Sequence, residues 1–275
     1  MKIFTAERFH EPTKRGLIRP FLVTASDEAT GEKATLVVKS LAGYDDQGEL
    51  KHMHREAYCL LLARGLGLTA PEPVGVEIPE GFEFGALDFR NHLNTDYYDL
   101  IERSHGRNLA TVHLGNDWKP WTATNRPKKI TQGTINDAYA YDGLVQNDDR
   151  TTENPNLLWK AEKLAVLDFD RAWCLGFFLQ EKRSWRKALE RLNLKQNSLF
   201  PHLKREAKAD PFLGVGLRAA LDREKLAKLS QACIDEVEAC FPGSNLDFQQ
   251  IQPYVTRLAG DADDFFQYLT QLVQP

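Results

Sequence analysis

The stretch Asn147-Asp148-Asp149-Arg150-Thr151-Thr152-Glu153-Asn154-Pro155-Asn156 offers almost nothing to a core. It cuts off a helical pattern set by Ile135, Ala138, Tyr139 and Val145. It then runs into two short apolar stretches, Leu157-Leu158-Trp159 and Leu164-Ala165-Val166-Leu167, separated by a Lys/Glu turn. A helix, a long polar loop and a strand-turn-strand unit are therefore expected in that order.

Either side of this unit the pattern differs. Upstream, Phe21-Leu22-Val23-Thr24 and Thr35-Leu36-Val37-Val38 flank a turn at Asp27–Glu32 and predict a hairpin, with Gly16 just before it. A helix over 50–64 follows, with Leu50, Met53, Ala57, Leu60 and Leu61 at helical spacing, stopped by Gly65-Leu66-Gly67. Ala70-Pro71-Glu72-Pro73 then leads into a strand at Val74–Ile78. Residues 79–130 give only weak signals, a strand at Phe84–Phe89 and a helix at Tyr97–Ile101. Downstream, Trp185, Leu189 and Leu192, then Leu226, Leu229, Cys233, Val237 and Cys240, then Phe265, Leu269, Leu272 and Val273 are all helically spaced. Asp261-Ala262-Asp263-Asp264 sits where the last helix would begin, and its charges suit that helix's N-terminal dipole. The expectation is an α+β chain: a β-rich N-terminal lobe over 1–110 and a mainly helical C-terminal lobe over 111–275, the boundary falling within 79–115.

Composition narrows the function classes. The 275 residues carry a net charge of −4 and no basic stripe with interleaved aromatics, so direct nucleic-acid binding is not expected. Cys59, Cys174, Cys233 and Cys240 form no CxxC pair, and no histidine has neighbours at zinc spacing. Charges in Met1–Arg8 occupy the place of an export signal's apolar stretch, and no run of about 18 apolar residues occurs. A reduced, cytoplasmic, membrane-free protein is expected. The segment His113–Trp121 carries two tryptophans that we read as buried packing.

The polar loop also carries chemistry. Asp149 and Asn154 are five residues apart, and Asp168 follows at the end of the next apolar strand. One carboxylate that accepts a proton from an attacking hydroxyl, with an amide oxygen and a second carboxylate to hold Mg²⁺, is the donor set of a phosphotransferase. An Asx-rich turn capping its own backbone is the plainer alternative. Lys39 ends an apolar strand and Glu56 lies on the helix after it; such a pair holds ATP phosphates in kinase-like folds, although each residue alone suits solvent equally well.

Asp142–Arg150, Asn154-Pro155-Asn156-Leu157-Leu158 and Val166-Leu167-Asp168-Phe169-Asp170 together resemble the catalytic core of HipA-like kinases. Gly16–Val23 resembles that family's first strands and phosphate loop, Val38-Lys39 its ATP lysine, and Arg55-Glu56-Ala57 through Pro71 its lysine-pairing helix. The resemblance implies an atypical Ser/Thr protein kinase of bilobal, protein-kinase-like fold, with ATP and Mg²⁺ in the cleft between lobes. It implies that Gly16 and Lys39 contact nucleotide, Glu56 orients Lys39, Asp149 is the base, and Asn154 and Asp168 bind metal. Better-known members are toxins that phosphorylate a protein of translation, which extends the expectation to a protein substrate and an antitoxin-like regulator. Two further readings stand beside it. Leu167-Asp168-Phe169-Asp170 suits a small-molecule phosphotransferase of the aminoglycoside or choline kinase type, although Asn147-Asp148-Asp149 replaces the His-Gly-Asp usual there. The single Gly16 in the phosphate loop suits a nucleotide-binding pseudokinase.

Overall fold

In a computed structural model the described residues are 1–13, 18–46, 50–90, 92, 95–122, 127–173, 184–205, 211–212, 215–244 and 248–274. The chain divides into two units. One comprises Met1–Ala57, Pro71–Leu114 and Glu236–Ser244; the other comprises Tyr58–Ala70, Gly115–Asp235 and Asn245–Pro275.

In the first unit, β1 (Ile3–Pro12), β2 (Phe21–Asp27), β3 (Lys33–Lys39), β4 (Pro73–Ile78) and β5 (Gly106–Val112) close into a barrel in the order β1-β2-β3-β5-β4. The expected hairpin is β2 and β3, with Phe21 opposite Val38. Neighbours run antiparallel except β1 and β4, whose parallel pairing, Ile3 opposite Gly75, closes the ring and removes a free edge. Phe4, Ala6, Phe21, Val23, Ala25, Leu36, Val38, Val74 and Val76 fill the core.

Two expectations are corrected here. No strand is expected ahead of the hairpin, yet β1 is present; register shifts between Ala6 and Arg8 and between Phe9 and Glu11 break the period of two that marks a strand. The segment Phe84–Phe89 is not a strand: it lies within a 3-10 helical turn over Phe82–Phe89. Phe82, Ala86 and Phe89 face the barrel core at helical spacing, and Gly85 lets the turn lie against β1, where a Cβ would stand 3.2 Å from that of Phe9. The helix expected nearby is present as Tyr97–Glu102.

Two helices follow β3. Helix α1 (Leu41–Asp45) is capped by Ser40, whose side chain accepts from Gly43 N at 3.1 Å. Helix α2 (Leu50–Gly65) is buried beyond the expected stripe, taking in Glu56, Tyr58, Cys59, Leu62 and Ala63 as well. Tyr97–Glu102 is α3.

In the second unit, Thr131 caps α4 (Gln132–Leu144), the helix expected before the polar loop. The strand-turn-strand unit is present as β7 (Leu157–Lys160) and β8 (Lys163–Val166), joined on one edge by β6 (Lys119–Pro120). The helical remainder is α5 (Ser184–Arg191), α6 (Phe200–Arg205), α7 (Gly216–Ala220), α8 (Arg223–Cys240), α9 (Ile251–Gly260) and α10 (Ala262–Val273). Asp263 and Asp264 occupy the first turn of α10, as their charges favour. Trp121 is buried with its ring 5.2 Å from that of His202, whereas Trp118 is half-buried. The whole is a mixed α+β chain, rich in sheet toward its N-terminus and helical toward its C-terminus. Cys59, Cys233 and Cys240 are free thiols, and Cys174 lies outside the described residues. Among the described residues no helix is long and apolar enough to cross a membrane.

Candidate active site

Lys39 is the last residue of β3, on the strand face opposite Leu36 and Val38. Its Nζ donates to Glu56 Oε2 at 2.7 Å, and the Glu56 side chain is only 2% exposed. The same oxygen accepts from the Tyr44 hydroxyl at 2.6 Å. A carboxylate this deep stays charged in company only where such donors meet it. Lys39 and Glu56 are thus brought together in the first unit. Gly16, expected in the phosphate loop, lies outside the described residues.

In the second unit the polar loop folds on itself. Asn154 Nδ2 donates to Asp149 Oδ2 at 2.7 Å, and Asn156 Nδ2 approaches the same oxygen at 3.3 Å. Burial pushes the Asp149 carboxyl above its ordinary range; the charges of Asp168 and Asp148 push the same way, against Arg171 and the Asn154 bond. Arg171 is loosely placed, 3.9 Å from both Asp148 and Asp149. The backbone is strained here too. Of six non-glycine residues with left-handed φ among the described residues, four, Gln146, Asn156, Asp168 and Trp173, lie in or flank this loop and its strands, while Ala161 makes the turn from β7 to β8. Such conformations persist where the surroundings over-determine them, commonly at functional sites.

The surroundings in this case are led by a buried ion pair that spacing does not reveal. Arg150 Nε donates to Asp142 Oδ2 at 2.7 Å, and both side chains are fully buried. The guanidinium also donates to the carbonyls of Pro155, at 3.1 Å, and of Asn156, and faces the Phe169 ring at 5.3 Å. Arg150 and Asp142 stand in the sequence among other polar residues, and only burial separates them. The one signal was their place inside the recognised motif.

With this geometry in place, comparison with known families is decisive: the sequence from 7 to 185 matches the HipA-like kinases. The chain belongs to that family. No curated protein and no solved structure matches it. For a HipA-like kinase, the loop's donors can be tested against a divalent cation. Asn154 and Asp168 offer an amide oxygen and carboxylate oxygens, the hard donors Mg²⁺ prefers, and Asp168 already exerts a repulsion on Asp149 that a cation would relieve. Two protein donors, with water and phosphate completing the shell, is the common arrangement for Mg²⁺, so the residues fit. Among the described residues no group of three or more His, Cys, Asp or Glu is arranged to hold a metal.

Proposed function

We propose that this HipA-like kinase transfers the γ-phosphoryl group of ATP to a serine or threonine hydroxyl of a protein, with Mg²⁺, on a bilobal protein-kinase-like architecture. The observation that carries the reading is the loop in which Asn154 holds Asp149 at 2.7 Å while the charge of Asp168 bears on the same carboxylate. Asp149 accepts the hydroxyl proton as the oxygen attacks the γ-phosphorus; the new O–P bond forms, the β–γ bridging bond breaks, and ADP leaves. Asn154 and Asp168 would hold Mg²⁺, which when bound neutralises phosphate charge. Lys39, kept in place by Glu56, takes phosphate oxygens as a point charge. The family resemblance supports a toxin-like role in the cytoplasm under an antitoxin-like protein regulator; growth arrest on expression, relieved by Asp149→Asn, would bear on this.

The test is purified protein with labelled ATP and Mg²⁺, alone and with lysate, beside Asp149→Asn and Asp168→Ala. Label is expected on the protein itself or on a lysate protein, and loss of the base should reduce it by about 10²–10⁴-fold. ATP consumption stimulated by an aminoglycoside or amino alcohol, with no protein labelled, would replace this reading with a small-molecule phosphotransferase. Bound but unconsumed ATP would leave a pseudokinase.

A further inference from the structure

Asp142 is fully buried and meets three donors. Oδ2 accepts from Arg150 Nε at 2.7 Å and from Asn197 Nδ2 at 2.8 Å, and Oδ1 accepts from Asn147 Nδ2 at 3.0 Å. Asn197 lies beyond residue 185, where the family match ends, between α5 and α6. It is buried, and its segment is bound to the polar loop by an isolated antiparallel β-bridge between Thr151 and Asn197, in which Ser198 N donates to the carbonyl of Arg150 at 2.9 Å.

We propose that Asn197 is a positioning residue of the phosphoryl-transfer site. The inference rests on the roles given above to Asp149, Asn154 and Asp168. A buried ion pair keeps one geometry only when its remaining lone pairs are met, and the Asn197 amide meets one of them. The guanidinium held in that way reaches the carbonyls of Pro155 and Asn156 and, more weakly at 3.4 Å, that of Leu167. Pro155 follows Asn154 and Leu167 precedes Asp168, so the clamp fixes both cation donors from one point. Leu167 N also donates to the Asn156 carbonyl at 3.1 Å, tying the same two segments directly. Withdrawing the Asn197 amide loosens Asp142, then Arg150, then the spacing of Asn154 and Asp168.

The variant of choice is Asn197→Asp, which keeps the shape and the oxygen that accepts from Leu199 N at 2.9 Å but turns the donor toward Asp142 into an acceptor. Two readouts are taken on the full chain: Mn²⁺ binding by electron paramagnetic resonance with a non-hydrolysable ATP analogue, and kcat against KM for phosphoryl transfer. Loss of an outer-shell partner predicts Mn²⁺ affinity about 10–100-fold weaker. A misplacement near 1 Å predicts kcat lower by about 10²-fold. Mn²⁺ affinity equal to wild type, even with a lowered melting temperature, would overturn the proposal and leave Asn197 purely structural. If Asn197→Asp does not fold, Asn197→Ser, which retains an acceptor for Leu199 N, is read the same way. A wild-type protein that transfers no phosphoryl group would instead overturn the reaction assigned to the site.

Discussion

Tyr44 shows what a single residue contributes that spacing does not reveal. Lys39 and Glu56 are legible from the sequence because a lysine ending an apolar strand and a glutamate on the next helix form a known pattern. Tyr44 joins them only because Ser40 starts α1 immediately after β3 and turns the tyrosine back onto Glu56 Oε2. Asp149, Asn154 and Asp168 were legible for the same reason as the lysine pair, their spacing around an apolar strand. Arg150 and Asp142 were not, since their partners are each other, backbone carbonyls and the amides of Asn147 and the distant Asn197. Tyr44→Phe removes one hydrogen bond to a buried charged group, so unfolding free energy should fall by about 1.5–3 kcal/mol. Glu56 would then hold Lys39 less firmly, and KM for ATP should rise several-fold with kcat less affected. Urea titration and an ATP dependence measured side by side check this; an unchanged pair of values would mean the hydroxyl does not support the carboxylate.

At the scale of elements, period decides what can be read. The hairpin keeps the period of two and was expected, and α2, α4 and the β7–β8 unit were expected from apolar residues bounded by polar or glycine stops, whereas β1 is interrupted by two register shifts and β5 starts at Gly106 inside a stretch of mixed polarity. Helix ends offer sharper tests. A Cβ at Gly143 in α4 would meet Leu189, Phe265 and Leu269 at 3.4–3.6 Å, ordinary contact, so Gly143→Ala should stabilise by about 0.5–1 kcal/mol through helix propensity. A Cβ at Gly65, ending α2, would stand 2.5 Å from Leu229 Cδ1, so Gly65→Ala should destabilise. Opposite shifts in melting temperature are the expected outcome, and shifts of one sign would contradict the packing. Two other helix ends are tied by charge. Arg103, closing α3, reaches Asp46, closing α1, through Nη1 at 2.9 Å and Nη2 at 3.1 Å, with Arg19 on the same carboxylate. The Arg103 bonds, helped by Arg19, bring the Asp46 pKa from 3.8 to about 2. A lowered carboxylate pKa stabilises the fold above its ordinary value, and that contribution is lost as pH falls through about 2. Wild type should therefore lose stability between pH 4 and pH 2 more steeply than Asp46→Asn; equal slopes in urea titrations across that range would show that solvent screens the pair.

For the molecule as a whole, the recognised sequence ends before the fold does. The family match stops at residue 185, yet the second unit continues through α5 to α10. The reason is physical: α4, which delivers the chain into the polar loop, is buried along most of its length and needs a cover. Phe265 and Leu269 of α10 lie against it at Gly143, and the Phe265 ring in turn meets Trp185 at 5.9 Å and Phe266 at 5.2 Å. Periodicity alone foretold three of these helices, α5, α8 and α10, because amphipathic spacing survives where short catalytic motifs have ended; α6, α7 and α9 carry no such expectation. Their burial also makes them indispensable. Ile251, Tyr254, Val255 and Leu258 of α9 and Phe265, Phe266, Leu269 and Val273 of α10 are buried. At about 1.5–3 kcal/mol for each such side chain, their removal costs about 12–24 kcal/mol, comparable to or above the 5–15 kcal/mol that holds a typical domain together. A chain ending at residue 250 should therefore show no cooperative thermal unfolding of the second unit and no phosphoryl transfer, while β-type circular dichroism from the barrel strands remains. A truncated chain that melts cooperatively and stays active would mean that α9 and α10 are appended to the catalytic fold and do not complete it.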